Sequence, residues 1–429
     1  MKKTLLLSVV ASTMIMAGGD IAPVEPVVEA PVVVETSGWE ANGQIVGYTH
    51  TVDEHGTGEL FGDGSTYGAI GVQMGAINKD LFAGIGAGFE VSAIMQDDIF
   101  FEDQTPNAGF YGNKTSNPVS IAGDAGTQSA GLTQAYLTYG LGNTSLKVGR
   151  QTLPMALSPF AYSEGWQVFK NTFDAALVVN SDVPDTTLVY AAVTNANSSV
   201  GPYLNSGSFN QINNPGDIVH MLTAQNKSVE GLTLTGTAYY APDMFTTEDA
   251  LVLWGDAKFG ISDYSIALQG GTIMGANDAG LGEDTVAFGA KVGANFGMFG
   301  ASVAFSSVDE GTVGITNLGT GIKSPLYTQM VLNNVGQLHA SDSDYLKASA
   351  NVAAFGGKFV VNYGMAIEKR DGAGNALASG AGESPYEVDV MYTHTFGNTK
   401  LFAAYVLTDG DIDGQDSNNF VRVWARYSF

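Results

Sequence analysis

The sequence predicts a transmembrane antiparallel β-barrel of about eighteen strands, with about sixteen as the alternative count. Three observations carry this reading. First, the last ten residues alternate without a break. Val421, Val423, Ala425, Tyr427 and Phe429 share one parity, and Arg422, Trp424, Arg426 and Ser428 share the other. Period-two alternation marks a strand with two unlike faces. Second, the pattern recurs along the chain with aromatics at the ends of the apolar faces, where a barrel meets the two membrane interfaces. These are Phe259, Tyr264, Phe288, Phe296, Phe299, Tyr345, Phe355, Phe359, Tyr386, Phe396, Tyr427 and Phe429. Third, short turns alternate with long polar loops, as in barrels with short periplasmic turns and long external loops.

Taken in order, Lys2 and Lys3 precede an apolar run from Leu5 to Met16 and then Ala17-Gly18-Gly19. Basic, apolar and small residues in that order make residues 1–17 a secretory signal peptide, too short to span as a helix. Residues 18–37, with Pro23, Pro26 and Pro31 among Val and Glu, read as an extended periplasmic spacer. The barrel occupies 38–429. Its strands are read at 39–49, 67–77, 82–96, 132–140, 144–151, 173–181, 185–195, 217–227, 231–241, 249–259, 263–274, 285–296, 299–309, 344–355, 357–368, 386–396, 399–408 and 420–429. The clearest are 82–96, 249–259, 285–296 and 386–396; in 82–96, Ala83, Ile85, Ala87, Phe89, Val91, Ala93 and Met95 oppose Gly84, Gly86, Gly88, Glu90, Ser92 and Gln96, with Ile94 the exception. Long loops fall at 50–66, 97–131, 152–172, 196–216, 310–343, 369–385 and 409–419.

Composition agrees. A soluble chain of 429 residues would form two or three domains, whereas a barrel uses that length in one. After the N-terminus no apolar run approaches the roughly 20 residues of a membrane helix. The absence of Cys excludes disulfides, thiolate metal sites and a cysteine-linked lipid anchor. A net charge of −25 argues against nucleic acid as a partner and favours cations at an acidic mouth. In hydrocarbon every backbone donor and acceptor needs a protein partner, which only a closed sheet supplies for strands. The polar parity then lines a wet lumen too wide for side chains to fill.

The spacer from Gly18 to Pro26 and the terminal Phe carry a family resemblance. So do Ala135-Tyr136-Leu137-Thr138-Tyr139, Leu146-Lys147-Val148-Gly149-Arg150-Gln151 with Pro154, and Thr172-Phe173-Asp174-Ala175-Ala176. The chain resembles Opr-type, OprD-like outer-membrane porins, including the major porins of campylobacter-like bacteria. The resemblance implies a Gram-negative outer-membrane channel, a homotrimer, and residues 152–172 as an inward-folding constriction loop. It also implies that Tyr427 and Phe429 form an insertion signal read by the barrel assembly machinery. The chain departs from that family in its basic ladder, since Lys and Arg total only 18.

Within the constriction loop Glu164, Trp166 and Lys170 are the candidate eyelet residues. Pro154, Pro159, Phe160, Tyr162 and Phe169 supply its anchors. Charge on the lipid face costs roughly 2–4 kcal/mol at midplane. The lumen wall is therefore assigned Glu90, Lys147, Asp174, Asp256, Lys258, Lys291, Lys347, Lys358, Glu387, Asp389, Lys400, Arg422 and Arg426. Arg150 breaks the parity and is expected at the mouth, through a bulge near Gly149 or the strand's exit.

Asp409, Asp411 and Asp413 form a weak calcium candidate, because an EF-hand's closing Glu would fall at Phe420. No cofactor is otherwise expected. Five His occur, without HExxH, a Gly-x-Ser-x-Gly elbow or a Cys nucleophile, so no enzyme is expected. His394, between Tyr392 and Phe396, reads as interfacial and structural. The expected function is passive diffusion of ions and small hydrophilic solutes, with cation preference. The alternative is a barrel serving as a surface adhesin or structural anchor. The expected partners are outer-membrane lipid, the assembly machinery, like subunits, solutes and cations.

Overall fold

The computed structural model describes residues 38–53, 56, 59–62, 65–96, 128–197, 210–212, 217–245, 248–311, 313–321, 323–332, 342–369, 384–409 and 416–429. The signal-peptide and spacer segments lie outside the described residues, as do Asp411 and Asp413 of the calcium candidate. Asp409 ends a strand opposite Tyr386.

Eighteen strands span the wall. They are β1 Glu40–Asp53, β2 Thr66–Phe82, β3 Ile85–Gln96, β4 Gln128–Leu141, β5 Thr144–Gln151, β6 Phe173–Asn180, β7 Thr186–Ala196, β8 Val219–Asn226 and β9 Leu232–Phe245. Then follow β10 Glu248–Ile261, β11 Tyr264–Met274, β12 Thr285–Phe296, β13 Phe299–Val308, β14 Ser343–Ala354, β15 Gly357–Lys369, β16 Tyr386–Phe396, β17 Thr399–Asp409 and β18 Asn418–Ser428. Each of the eighteen segments read from alternation overlaps one of these strands, but the segment 82–96 begins too early: Phe82 ends β2, and Ala83 and Gly84 turn the chain before β3. The pair Asn210–Gln211 adds a short bridge to the loop end of β7.

Every strand pairs antiparallel with its sequence neighbours, and β1 pairs with both β2 and β18, so the sheet closes. At the seam Gln44 faces Ser428 and Asp53 faces Asn419. Beyond Ser428, Gly43 N donates to Phe429 O at 3.0 Å and Phe429 N returns to Gly43 O at 3.0 Å. The Phe429 ring lies over Gly43, where a Cβ would come within 2.6 Å of it. Deleting Phe429 removes both hydrogen bonds and this packing. The expected result is a reduced fraction of heat-modifiable, membrane-inserted protein, read by gel mobility with and without boiling. Normal insertion after the deletion would contradict the role of this residue.

The wall is apolar on the outside. On adjacent strands Leu268, Phe288 and Val292 are more than half exposed. A continuous belt of that kind is a lipid surface, because in water it would drive association. Tyr139, Tyr264, Phe296, Phe396 and Tyr427 stand on it near the turn end, and Tyr240, Phe288, Tyr386 and Tyr405 towards the loop end. Tyr345 is a correction. It faces inward, buried at 2 % exposure against Met330 and Ala366, because it shares parity with Lys347. His394 stands on the outer face at the turn end, its ring beside Tyr392 and Phe396.

The inner face is less polar than alternation implied. Val46, Tyr48, Tyr239, Trp254, Phe402 and Trp424 point inward and are buried. Two segments fold into the barrel and cover them. Residues 152–172, between β5 and β6, are the first. Residues 313–321 and 323–332, between β13 and β14, are the second, where the sequence alone predicts a long polar loop. Leu153, Phe160 and Phe173 pack with Ile315 and Leu326 against the β7–β11 side of the wall. Val168 and Phe169 pack with Val331 and Leu332 against the seam side.

Candidate functional site

Residues 152–172 turn inward for local reasons. Pro154 leads into a single helical turn, Met155–Leu157, and Ser163 N donates back to Leu153 O at 2.9 Å, closing the segment on itself. Phe160 is the anchor. Its ring meets Trp254 edge-on at 5.2 Å, and its N–H donates to Tyr239 Oη at 3.1 Å. Farther along, Val168 and Phe169 settle over β2 at Gly71. A Cβ at Gly71 would lie 2.5 Å from Val168 Cγ1 and 2.8 Å from the Phe169 ring, so this approach requires glycine.

The last strand holds the loop. Arg422 Nη1 donates to Trp166 O at 2.8 Å, and Arg426 Nη2 donates to Gln167 O at 2.7 Å and to Gly165 O at 3.2 Å. Both guanidinium groups also lie against aromatic rings, Arg426 over Trp424 at 4.4 Å and Arg422 over Phe420 at 5.0 Å. These two arginines face inward and clamp carbonyls.

The second segment meets the first. Leu318 N donates to Phe160 O at 2.7 Å, and Asn317 Nδ2 donates to Tyr162 O at 2.9 Å. Glu164 is buried in this junction. It accepts from Asn317 Nδ2 at 2.8 Å and from Thr320 Oγ1. Burial raises its carboxyl pKa, against the lowering effect of those hydrogen bonds and of Lys323. Lys323 is also buried. Its ammonium donates to Met330 O at 3.1 Å and to Val331 O, and stands 4.5 Å from the Trp166 ring centroid. Burial draws this ammonium down to about 8, although Glu164, Glu387 and Asp389 act to raise it.

The wall pins the second segment in the same way. Glu387 accepts from Leu332 N at 2.7 Å, and Asp389 accepts from Val331 N at 3.3 Å and from Asn362 Nδ2 at 3.0 Å. Lys347 donates to Gln329 O, and Tyr327 donates its hydroxyl to Asp256. The charged groups of the inner wall therefore divide into two sets. Arg422, Arg426, Glu387, Asp389 and Lys347 hold loops. Lys258, Lys170 and Lys400 stand where solvent reaches. Lys258 pairs with Asp256 at 3.2 Å, yet its side chain is 42 % exposed on the inner face. Lys170 and Lys400 are half-buried, and Lys170 and Arg426 both lie within electrostatic reach of Lys400.

Glu90 and Lys147 face inward nearer the turn end. Glu90 accepts from Thr133 Oγ1 at 2.8 Å, and the Lys147 ammonium lies 3.7 Å from the centroid of the Tyr136 ring. Lys291 and Lys358 are also on the inner face.

Asp174 is a correction. It shares the outer parity with Ala176 and Val178, and pairs with Arg150 by two hydrogen bonds of 2.9 and 3.3 Å. The remaining Arg150 nitrogen donates to Leu132 O at 2.9 Å. That carbonyl lies beside a bulge, where Thr133 is the extra residue between Leu132 and Gln134 in the β3–β4 ladder. The pair thus sits on the outer wall at the loop ends of β5 and β6. Gly149, with φ of +125°, precedes Arg150 there.

The sequence missed the whole second segment, and with it Asn317, Thr320, Lys323 and Tyr327. A signal was present. Ile315, Leu318, Pro325, Leu326, Tyr327, Met330, Val331 and Leu332 repeat the Pro, aromatic and aliphatic content that marked 152–172 as an inward loop.

No family model and no curated protein matches the sequence. Solved structures do match in fold. The chain is similar to Pseudomonas aeruginosa OccK9 (OpdG), at 14 % identity and a TM-score of 0.68 over 91 % of this chain and 98 % of that one. It is similar to P. aeruginosa OpdK, solved with vanillate, at 14 % identity and a TM-score of 0.67 over the same shares. Acinetobacter baumannii OccAB3 matches at 12 % identity and a TM-score of 0.67, over 91 % of this chain and 99 % of that one. At such identities the likeness establishes the shared eighteen-stranded barrel fold.

Proposed function

We propose that this chain is an outer-membrane channel through which small hydrophilic solutes and ions diffuse passively. One observation carries the reading. A closed wall, apolar outside, encloses an inner face on which charge meets solvent, as at Lys258, and two loops narrow that interior while bonded to the wall. The fold shared with Occ-type porins supports it. In this reading the long loops face the exterior, and the turns and the N-terminal spacer face the periplasm. Nothing in the geometry favours the adhesin alternative.

The ionic preference has two opposed sources. The total charge of −25 and mouth acids such as Asp53, Asp249, Asp309 and Asp409 favour cations, which is the preference we propose. At the eyelet, Lys170 and Lys400 favour anions instead. Neighbours solved with vanillate and with glucuronate give weight to this second reading, passage of small organic acids. Reversal potentials in a salt gradient discriminate them. Either way, Lys170→Glu is expected to shift the reversal potential towards cations, and an unchanged potential would remove Lys170 from the selectivity-setting region.

We also propose that subunits associate through the β4–β8 side. Strands β5, β6 and β8 have eight residues each, against fourteen in β4 and β9, so the wall is low there. The Arg150–Asp174 pair stands on that outer surface. A protein neighbour accommodates an ion pair better than acyl chains do.

A further inference from the structure

Charge is spread unevenly around the turn end of the barrel. From β15 to β18 and on to β1, the inward side chains nearest the turns include Lys358, Thr393, Thr395, Lys400, Ser428 and Gln44. The register joins them into one arc: Lys358 faces Thr393, Thr395 faces Lys400, and Ser428 faces Gln44. Lys358 and Lys400 are half-buried, and among the described residues neither forms an ion pair. Beside Lys358, the Asn351 amide nitrogen and the Thr393 hydroxyl have no hydrogen-bond partner among the described residues. Both are groups that can donate to a carboxylate. The turns within this arc, 355–356 and 397–398, are uncharged, and Glu40 at the start of β1 pairs with Lys79 at 3.5 Å. On the opposite side the turns carry Asp182, Asp185, Glu230 and Asp263 against one base, Lys227. An anionic chain at this end of the barrel is attracted to the arc and repelled across from it.

Such a chain is attached at that end. Residues 18–37 contain Asp20, Glu25, Glu29 and Glu35 and no Lys, Arg or His. They lead into β1 at its turn end, where Trp39 stands edge-on to Phe89 at 5.8 Å. We propose that residues 18–37 dock on this arc, with Glu35 at Lys400 and Glu29 at Lys358, and that the docked carboxylates set the ionic preference of the turn-end vestibule. The docking goes beyond the channel reading and rests on it only for its electrical readout. The reach agrees. At about 4.8 Å between strands, Lys400 on β17 is about 10 Å from the chain's entry at β1, and Lys358 on β15 about 19 Å. At about 3.1 Å per residue for an extended, proline-containing chain, Glu35 lies about 9 Å from Gly38 and Glu29 about 28 Å. Each carboxylate meets its lysine with length to spare for the curve of the wall. Lys400 is within electrostatic reach of Lys170, so covering it also weakens the positive field at the eyelet. With the arc covered the vestibule favours cations; with it bare, Lys358 and Lys400 favour anions.

The chain has no Cys, so an introduced pair reports contact without background. Val34→Cys with Thr395→Cys leaves every charge in place and is expected to form a disulfide in the folded protein, read by mass spectrometry without reduction. Thr138 is the control. It faces inward at the turn end of β4, three strands from β1 on one side as Thr395 on β16 is on the other. A tether that only swings from β1 would link Val34→Cys to either position alike. Docking predicts severalfold more disulfide with Thr395→Cys than with Thr138→Cys. That preference should disappear in Glu25→Gln/Glu29→Gln/Glu35→Gln and in Lys358→Gln/Lys400→Gln. Equal cross-linking at the two positions, or a preference that survives loss of the charges, would overturn the proposal.

Reversal potentials in a salt gradient read the consequence. Glu25→Gln/Glu29→Gln/Glu35→Gln is expected to shift the potential towards anions in the natural barrel, and to shift nothing once Lys358→Gln/Lys400→Gln has neutralised the arc. A shift of the same size in both backgrounds would overturn the proposal, because the carboxylates would then act without the arc. So would an arc that takes small organic acids instead: the cross-link would then show no preferred side, and Lys358→Gln/Lys400→Gln would shift the potential equally with and without the spacer carboxylates. A preferred cross-link in folded protein that passes no current would reject the channel reading and keep the docking. Current without a preferred cross-link would do the reverse. Heat-modifiability of each variant verifies that it has folded.

Discussion

Replacing Arg422 and Arg426 together by Met is expected to widen the channel. The three hydrogen bonds they donate to Gly165, Trp166 and Gln167 are charge-assisted, and such bonds contribute about 1.5–3 kcal/mol each. The strand they come from is held in the seam by backbone bonds from Gln44 to Asp53, which the substitutions leave alone. The barrel should therefore fold and remain heat-modifiable while residues 165–167 come away from the wall. Unitary conductance should rise severalfold, with more open-channel noise. A folded double variant of unchanged conductance would mean that Val168, Phe169 and Phe160 hold the loop without the arginines.

The second large effect is expected at Glu164→Leu. The carboxylate sits between Asn317, Thr320 and Lys323, and its removal leaves the Lys323 ammonium buried beside Trp166 with a principal counter-charge gone. Breaking a buried pair from one side costs about 3–5 kcal/mol. That loss should fall on the junction of the two inward segments rather than on the ladders. The expected result is new protease cleavage within 313–332 and a higher conductance, with the heat-modification temperature little changed. Glu164→Gln should be milder, because an amide can still accept from Asn317 and Thr320. Equal and negligible effects of Leu and Gln would show that the junction does not depend on this carboxyl.

The eighteen strands were legible because a membrane barrel imposes period two on every strand, and lipid makes the outer parity uniformly apolar. The inner parity obeys no such rule. Where it meets water it is polar, as at Lys258; where it meets a folded-in segment it is apolar, as at Tyr48, Phe402 and Trp424. Tyr345 was misplaced for that reason: an aromatic near a strand end was read as a girdle residue, although it shares parity with Lys347. Asp174 was misplaced because charge alone was taken as a mark of the lumen. Its partner Arg150 lies on the neighbouring strand, and only the register shows that the two meet. The bulge at Thr133 left no periodic trace that alternation could detect.

The loops divide in the same way. Residues 152–172 were legible as an inward segment because Pro154, Pro159, Phe160, Tyr162 and Phe169 crowd a short stretch. Residues 313–332 carry comparable anchors, but they run on into the polar stretch Asn333, Asn334, Gln337, Ser341 and Asp342, and the average hid them. Lys323 was invisible as a site residue because its importance comes from what three separate parts of the chain bring to it. Glu164 lies 159 residues before Lys323, Glu387 lies 64 after it and Arg422 lies 99 after it. Sequence spacing across a barrel does not reveal such a meeting.

We propose that the closed wall and its two bonded inner segments form a conducting pore. Planar-bilayer recording of the purified, heat-modifiable protein tests it most directly. Stable, stepwise, ohmic insertions are expected, with a unitary conductance that rises in Arg422→Met/Arg426→Met. Folded protein that inserts into the bilayer and passes no current would contradict it.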